Sequence, residues 1–338
     1  LIVWDNHDID TEAPIADAIQ AFHEWVPIRP PEPDNKNYIY RSLNYGGLLN
    51  IVALDTRHIG RDSKIPGTQD SSLLGEEQFG WLKAQVSEST SQWTVIVNQV
   101  LMAPFTLLGQ PLSRSLWDGY AEDRSRVLDY FKVIGLQNVI VASGDSHMSF
   151  ANDLISGNAS VGVEFLPSSV NRGNLDESIK GVLAKFAKPI FQNLVQSANP
   201  HIRYFESTRH GYGLLDLTKE GASMEFWYVS HEEQSKHEEF GRGCYTEVNS
   251  NRITNADSPA SPVGKRRSLA APAAREYFTK AAEVGGVGGD YFDFLEQITI
   301  RSAIYIFPAA CFIKSCITGS DAIVLPWSTD PYTNFVQS

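Results

Sequence analysis

Cysteine is scarce in this chain. Its 338 residues hold three, Cys244, Cys311 and Cys316, so no disulfide framework supports anything before Cys244. Positive charge is also in short supply: 28 Lys and Arg stand against 40 Asp and Glu, a formal net charge of −12. A phosphate backbone needs a basic surface, so no nucleic-acid-binding surface is expected. A small phosphorylated substrate is not excluded, because a bound metal inverts the local field. Long apolar runs are missing too. The most apolar late stretch, Ala303 to Ile317, is short for a bilayer and is interrupted by Pro308 and Lys314. No transmembrane span is expected there; a buried helix or a strand pair fits better. No internal repeat is present.

What is there suits a globular protein: 42% hydrophobic, 11% aromatic and 20% charged residues, enough to bury a sizeable core. The chain opens on LIVWDNHDID, an aliphatic run that reads as a strand and ends in Asp5, Asn6, His7 and Asp8. Ile15 to Val26 carries apolar residues at helical spacing, closed by Pro27 and the prolines after it. Around Gly46-Gly47 the sequence predicts a hairpin, whose second strand, Leu48 to Leu54, is almost wholly apolar, as a strand buried on both faces must be. It ends in Asp55, Thr56 and Arg57. An amphipathic helix follows with Phe79, Leu82 and Val86 on one stripe. A buried strand then ends in Asn98-Gln99, a second helix faces Val127, Leu128 and Phe131 inward, and a third apolar strand ends in SGDSH, residues 143–147.

Strands alternating with helices predict an α/β sandwich, in which sites form at the carboxyl ends of strands. Later segments, VGVEFLPSSV and an antiparallel pair around Gly221, add strands. From His231 the chain turns polar. Residues 233–274 read as a linker and 275–338 as a C-terminal tail of unknown role, behind a domain spanning 1–232.

Asn6-His7 and Asp145-x-His147 offer amide, imidazole and carboxylate, which are ligands for divalent or trivalent first-row metals and for calcium. Gly144 would let the backbone turn so that Asp145 and His147 face the same way. Each motif alone has a plain structural reading, as a helix cap or a strand-end turn. Arg57 is either a substrate- or site-ordering residue or half of a buried Arg–Asp pair.

Taken in order, WDNHDID, ALDTRHIGRD, the block from Leu73 to Pro104, WDGYAEDRSRVLDYF and GDSHMSFANDL resemble consecutive blocks of the PhoD-like alkaline phosphatases, a branch of the calcineurin-like binuclear metallophosphoesterases. The resemblance runs from residue 1 to about 230. It implies a metallophosphoesterase-type α/β/β/α sandwich and metal-dependent hydrolysis of phosphate mono- or diesters. Iron with calcium is the cofactor set it implies, and a small phosphoester is the substrate. Asn6 or Asp5, with Asp145 and His147, would be metal ligands. His7 would lie beside the phosphoryl group, stabilising its charge or protonating the leaving oxygen, with Asp8 orienting it. Gln99, Asp118 and Tyr120 would lie near the site, with packing roles as the alternative for the last two.

In that family two further ligand blocks precede the Asn-His block, and this chain begins at the third. The expectation is therefore a domain lacking its first strands, with Leu1 to Trp4 left as an exposed apolar edge and with impaired activity. The competing expectation is a non-catalytic remnant or binding module of the same fold. An extracellular or cell-envelope location follows only by analogy with the family.

Overall fold

The computed structural model of the chain describes residues 1–9, 14–62, 71–170, 173–174, 182–230, 237–259, 300–307 and 310–317. Two sheets stack face to face. The first has seven strands: β1 (Arg41–Tyr45), β2 (Leu49–Ala53), β3 (Trp93–Val97), β6 (Val139–Ala142), β8 (Ala159–Leu166), β7 (Ser149–Ser156) and β9 (Ile202–Glu206), in that spatial order. Its centre, β2, β3, β6 and β8, is parallel, while β1, β7 and β9 run antiparallel at the edges. The short strands β4 (Thr106–Leu107) and β5 (Gln110–Pro111) form a separate hairpin.

Every residue of β2, β3 and β6 is buried, which is why these strands read as unbroken apolar runs rather than alternating ones. Alternate residues serve two cores. Ile51, Ala53, Val95, Val97, Ile140 and Ala142 face the second sheet. Val52, Leu54, Ile96, Val139 and Val141 face α3 (Gly75–Ser87) and α4 (Ala121–Val133), whose Phe79, Leu82, Val86, Val127, Leu128 and Phe131 complete the outer core. Each large side chain removed from water this way contributes about 1.5–3 kcal/mol. Helix α5 (Val182–Ala198) packs on the same side through Val195.

The second sheet is antiparallel and runs β13 (Thr254–Ala256), β12 (Glu238–Glu247), β11 (Gly221–Val229), β10 (Gly211–Leu217), β14 (Ile300–Phe307), β15 (Ala310–Ile317). Its Leu215, Leu217, Ala222, Met224, Phe226, Tyr228 and Cys244 meet the first sheet. The fold is thus the α/β sandwich the sequence implies, with a large central sheet. The apolar stretch from Ala303 onward is a strand pair, and among the described residues no helix is long and apolar enough to cross a membrane.

Two expectations need correction. Leu1 to Trp4 form no strand and no exposed edge: Val3 and Trp4 are buried, Leu1 and Ile2 pack partly buried against the inter-sheet core, and α1 (Asn6–Ile9) follows at once. Trp4 joins Phe22 of α2 (Ile15–Trp25) edge to face, ring centroids 5.5 Å apart, so burial of the aromatic ring decides this segment, not strand pairing. The polar run at 238–256 is not linker but strands β12 and β13. Cys244 and Thr246 are buried there, while Glu238, Glu239 and Glu247 are exposed. Residues 260–299, 308–309 and 318–338, most of the tail, lie outside the described residues.

Candidate phosphoester site at the strand ends

The parallel register sets Ala53, Val97, Ala142 and Phe165 side by side across four strands. Their carboxyl ends therefore stop at one level, and the polar residues that follow share a rim. The ladder extends beyond the strands: Asn98 N–H donates to Ala142 O at 2.9 Å, Ser143 N–H to Phe165 O at 3.0 Å and Gly144 N–H to Gln99 O at 3.1 Å.

At this rim one cation holds two anions. Arg57 Nε lies 2.6 Å from Asp5 Oδ1, and its Nη2 lies 2.6 Å from Asp145 Oδ1. The Arg57 side chain is 4% exposed, those of Asp5 and Asp145 13% and 18%. Burial pushes the Asp5 carboxyl up to about 6; Arg57 opposes the rise and the neighbouring Asp145 charge adds to it.

Each member is aimed by its own local structure. Asp5 opens α1 as its N-cap, Oδ1 accepting the Asn6 N–H at 2.8 Å, while Asp8 Oδ2 accepts the Asp5 N–H at 2.7 Å. The second bond is half of a capping box, with Asp8 in the usual Glu place; the Asp8 N–H itself donates to the Asp5 carbonyl at 3.0 Å. Burial raises the Asp8 carboxyl above its ordinary value. Asn6 is half-buried and His7 exposed beside them.

Arg57 is aimed by Asp55, which is fully buried. Asp55 Oδ1 accepts the N–H groups of Arg57 and His58, both at 2.9 Å, and Oδ2 that of Ile59 at 3.1 Å. Gln78 of α3 clamps the same residue from behind, Oε1 accepting the Asp55 N–H at 2.7 Å and Nε2 donating to Asp55 O at 2.8 Å. The turn then closes at Gly60, φ +84, where a Cβ would stand 1.9 Å from Leu74 O. Opposite it Gly75, φ +69, would put its own Cβ 2.9 Å from the Gly60 Cα. Only glycine fits either place.

Asp145 and His147 sit in a turn that departs from expectation. Gly144 does not take the left-handed conformation; Asp145 (φ 69) and His147 (φ 55) do. For side chains with a Cβ this costs about 1 kcal/mol or more at each position, and such strain accumulates where side-chain direction matters. His147 Nδ1 makes a 3.0 Å hydrogen bond with Gly173 O.

The other sequence-predicted residues are committed to the frame. Gln99 is buried, with Oε1 accepting Thr56 N–H and Oγ1 at 2.9 and 2.7 Å and Nε2 donating to Leu54 O at 2.8 Å. Asp118 accepts the Phe105 N–H at 2.8 Å and pairs with Arg124 at 2.5 Å; Tyr120 is buried and donates to Asp62 O at 3.3 Å. Of the predicted set, the structure brings together Asp5, Arg57 and Asp145.

Sequence reasoning missed Glu164. It is fully buried on β8, accepting the N–H groups of Met102 and Ala103 at 2.6 and 2.9 Å, Ser143 Oγ–H at 2.6 Å and Asn152 Nδ2–H at 2.9 Å. It thus ties the loop after β3 to the start of the Asp145 turn. The signal was a lone carboxylate inside the apolar run VGVEFL.

The donor chemistry of Asp5, Asn6, Asp145 and His147 suits hard or borderline cations. As arranged here the residues do not form a metal cage: among the described residues no three His, Cys, Asp or Glu side chains converge, and a guanidinium stands against both carboxylates.

Comparison with known proteins is consistent across sequence and fold. A family model described as PhoD-like phosphatase matches residues 4–226. Alkaline phosphatase D of Bacillus subtilis (strain 168) is 30% identical over 256 residues, covering 64% of this chain and 42% of that protein. A solved structure described as "Structure of PhoD" superposes with a TM-score of 0.62 at 23% identity, covering 77% of this chain and 55% of that one. At that identity the likeness is one of fold. The chain spans 42% of the length of the curated relative it matches.

Proposed function

This chain belongs to the PhoD-like phosphatase family, and from that premise we propose that the protein it represents hydrolyses phosphate monoesters or diesters. The Asp5–Asp8 turn, Arg57 and the Asp145–His147 turn would form one side of its active site. The observation that carries the reading is the meeting of Asp5 and Asp145 on Arg57 at the rim of the parallel strands.

Hydrolysis needs water to attack phosphorus, negative charge to be stabilised on the phosphoryl oxygens, and a proton for the departing oxygen. His7, exposed beside the buried pair, has an imidazole whose nitrogen would carry that proton. His147, with Nδ1 engaged by Gly173, has Nε2 as its second nitrogen for a phosphoryl oxygen or a cation. The orienting role for Asp8 belongs to the same proposal. PhoD-like phosphatases are metal-dependent. Iron and calcium are proposed as the resident ions of the whole protein, but the donors described here do not make their cage, and no step is routed through them.

The test is hydrolysis of p-nitrophenyl phosphate and bis-p-nitrophenyl phosphate by the full protein, beside Asp145→Asn and His147→Ala. Loss of about a hundredfold or more in kcat/KM with retained fold supports the assignment. Unchanged rates in both variants would remove these residues from the site, and absence of hydrolysis by the parent protein would favour a binding module of the same fold.

A further inference from the structure

We infer that a pocket flanked by β1 and α3 is a saccharide-binding site that takes a neutral pyranose ring. It encloses about 430 Å³, with Tyr38, Tyr40 and Trp81 as its aromatic wall and Arg41 and Glu32 in its polar lining. Tyr38 and Tyr40 have ring centroids 5.3 Å apart at 81°, and Tyr40 and Trp81 4.8 Å apart at 57°. Rings set at such angles make an angular wall, not a slot for one flat ring. A pyranose suits it, with apolar C–H faces to pack on the rings and hydroxyls that both donate and accept.

The polar lining is of the matching kind. Arg41 Nε donates to Ile39 O at 3.0 Å and Nη1 to Arg29 O at 2.6 Å, while Nη2, shielded from water, has no hydrogen-bond partner. A shielded donor without an acceptor is costly, and a hydroxyl oxygen brought into the pocket supplies the acceptor. Burial lowers the Arg41 pKa from its ordinary value, and among the described residues no carboxylate pairs with this guanidinium. Glu32 is exposed in the same lining, and Glu77 stands behind the wall, accepting the Tyr40 hydroxyl at 3.2 Å. Charges of both signs in so small a space disfavour an ionic ligand of either sign. Together they offer a donor and an acceptor to neutral hydroxyls.

The pocket stands at the same end of the sheet as the strand-end rim, because Arg41 pairs in register with Ala53. Holding the sugar part of a phosphoester there rests on the phosphoesterase reading. The binding itself does not, and its readout is affinity alone.

The full protein is titrated with methyl glucosides, galactosides and mannosides and with N-acetylglucosamine, by calorimetry and saturation-transfer NMR. At least one should bind with a Kd of about 1 mM or tighter, and Trp81→Ala and Arg41→Met should each weaken it at least about tenfold. Should these variants fail to fold, Glu32→Ala, an exposed change, decides in their place and should weaken binding about threefold or more. No binding of any of these sugars at about 10 mM overturns the proposal, as does binding undiminished in folded Trp81→Ala or in Glu32→Ala. Benzyl alcohol or benzoate bound as tightly as the best sugar overturns it in favour of a flat aromatic ligand. Ester hydrolysis measured on the same samples reports separately on the functional reading.

Discussion

The indole N–H of Trp4 donates to Oδ1 of Asp55 at 3.0 Å, and that oxygen also accepts the backbone N–H groups of Arg57 and His58. The N-terminal segment and the turn after β2 are thereby fastened to one buried carboxylate, one carrying Asp5 and the other Arg57. Replacing Asp55 by Ala strips four donors of their acceptor, one buried and three half-buried. The expected loss is at least about 3 kcal/mol of unfolding free energy, read from urea denaturation, while Trp4→Phe, which keeps an aromatic ring but loses one bond and part of the indole's packed volume, costs about 2 kcal/mol. Equal effects from both would mean that ring packing, not the carboxylate, organises the junction.

The left-handed backbone at His147 has a stability readout of its own. Ala at this position keeps the unfavourable φ, whereas Gly relieves it. His147→Gly should be more stable than His147→Ala by about 1 kcal/mol in thermal or urea melts, although both lack the imidazole. Identical melts would show that the turn relaxes once the side chain is gone.

Glu164 supplies the pH dependence. Complete burial raises its pKa in the folded chain, against the pull of the four groups that donate to it. A raised folded value binds the proton more tightly than the unfolded chain does. The contribution of this group is therefore fully present below the unfolded carboxylate pKa, about 4.3, and is lost as pH rises through the folded value. Unfolding free energies of the parent and Glu164→Gln, measured from acid to neutral pH, should show the advantage of the parent shrinking as pH rises. An advantage that grows with pH would mean the four donors hold the carboxylate ionised at all pH values.

Cys244 should be inert. It is buried on β12, and burial pushes its thiol up to about 12, far from the thiolate that reacts. Iodoacetamide at pH 8 should leave it unmodified in the native protein and alkylate it fully in denaturant, as read by peptide mass spectrometry. Modification at native pH 8 would mean that the second sheet opens locally at that strand.

Much of the frame was legible because parallel strands buried on both faces write continuous apolar runs, and β2, β3 and β6 are of that kind. The inward stripes of α3 and α4 were equally plain, since Phe79, Leu82, Val86, Val127, Leu128 and Phe131 recur at helical spacing. Leu1 to Trp4 misled because an aliphatic run implies burial without saying against what; an indole that meets a carboxylate far along the chain leaves no local trace. Strand β12 misled for the opposite reason, its exposed face being polar enough to pass for a connection. Asp5, Arg57 and Asp145 were all singled out by residue type and strand-end position. That the arginine would unite the two acids depends on register across several strands, which no short window of sequence carries.

The glycine pair at 60 and 75 sets a boundary on how this turn can be remodelled. The two residues belong to different elements, yet a methyl group at Gly60 would run into the Leu74–Gly75 peptide and one at Gly75 into the Gly60 backbone. A library that diversifies the 56–62 turn has one fixed letter before selection begins. Enlarging it requires rebuilding the entry to the neighbouring helix as well, so the guanidinium and the packing beneath it evolve as a unit.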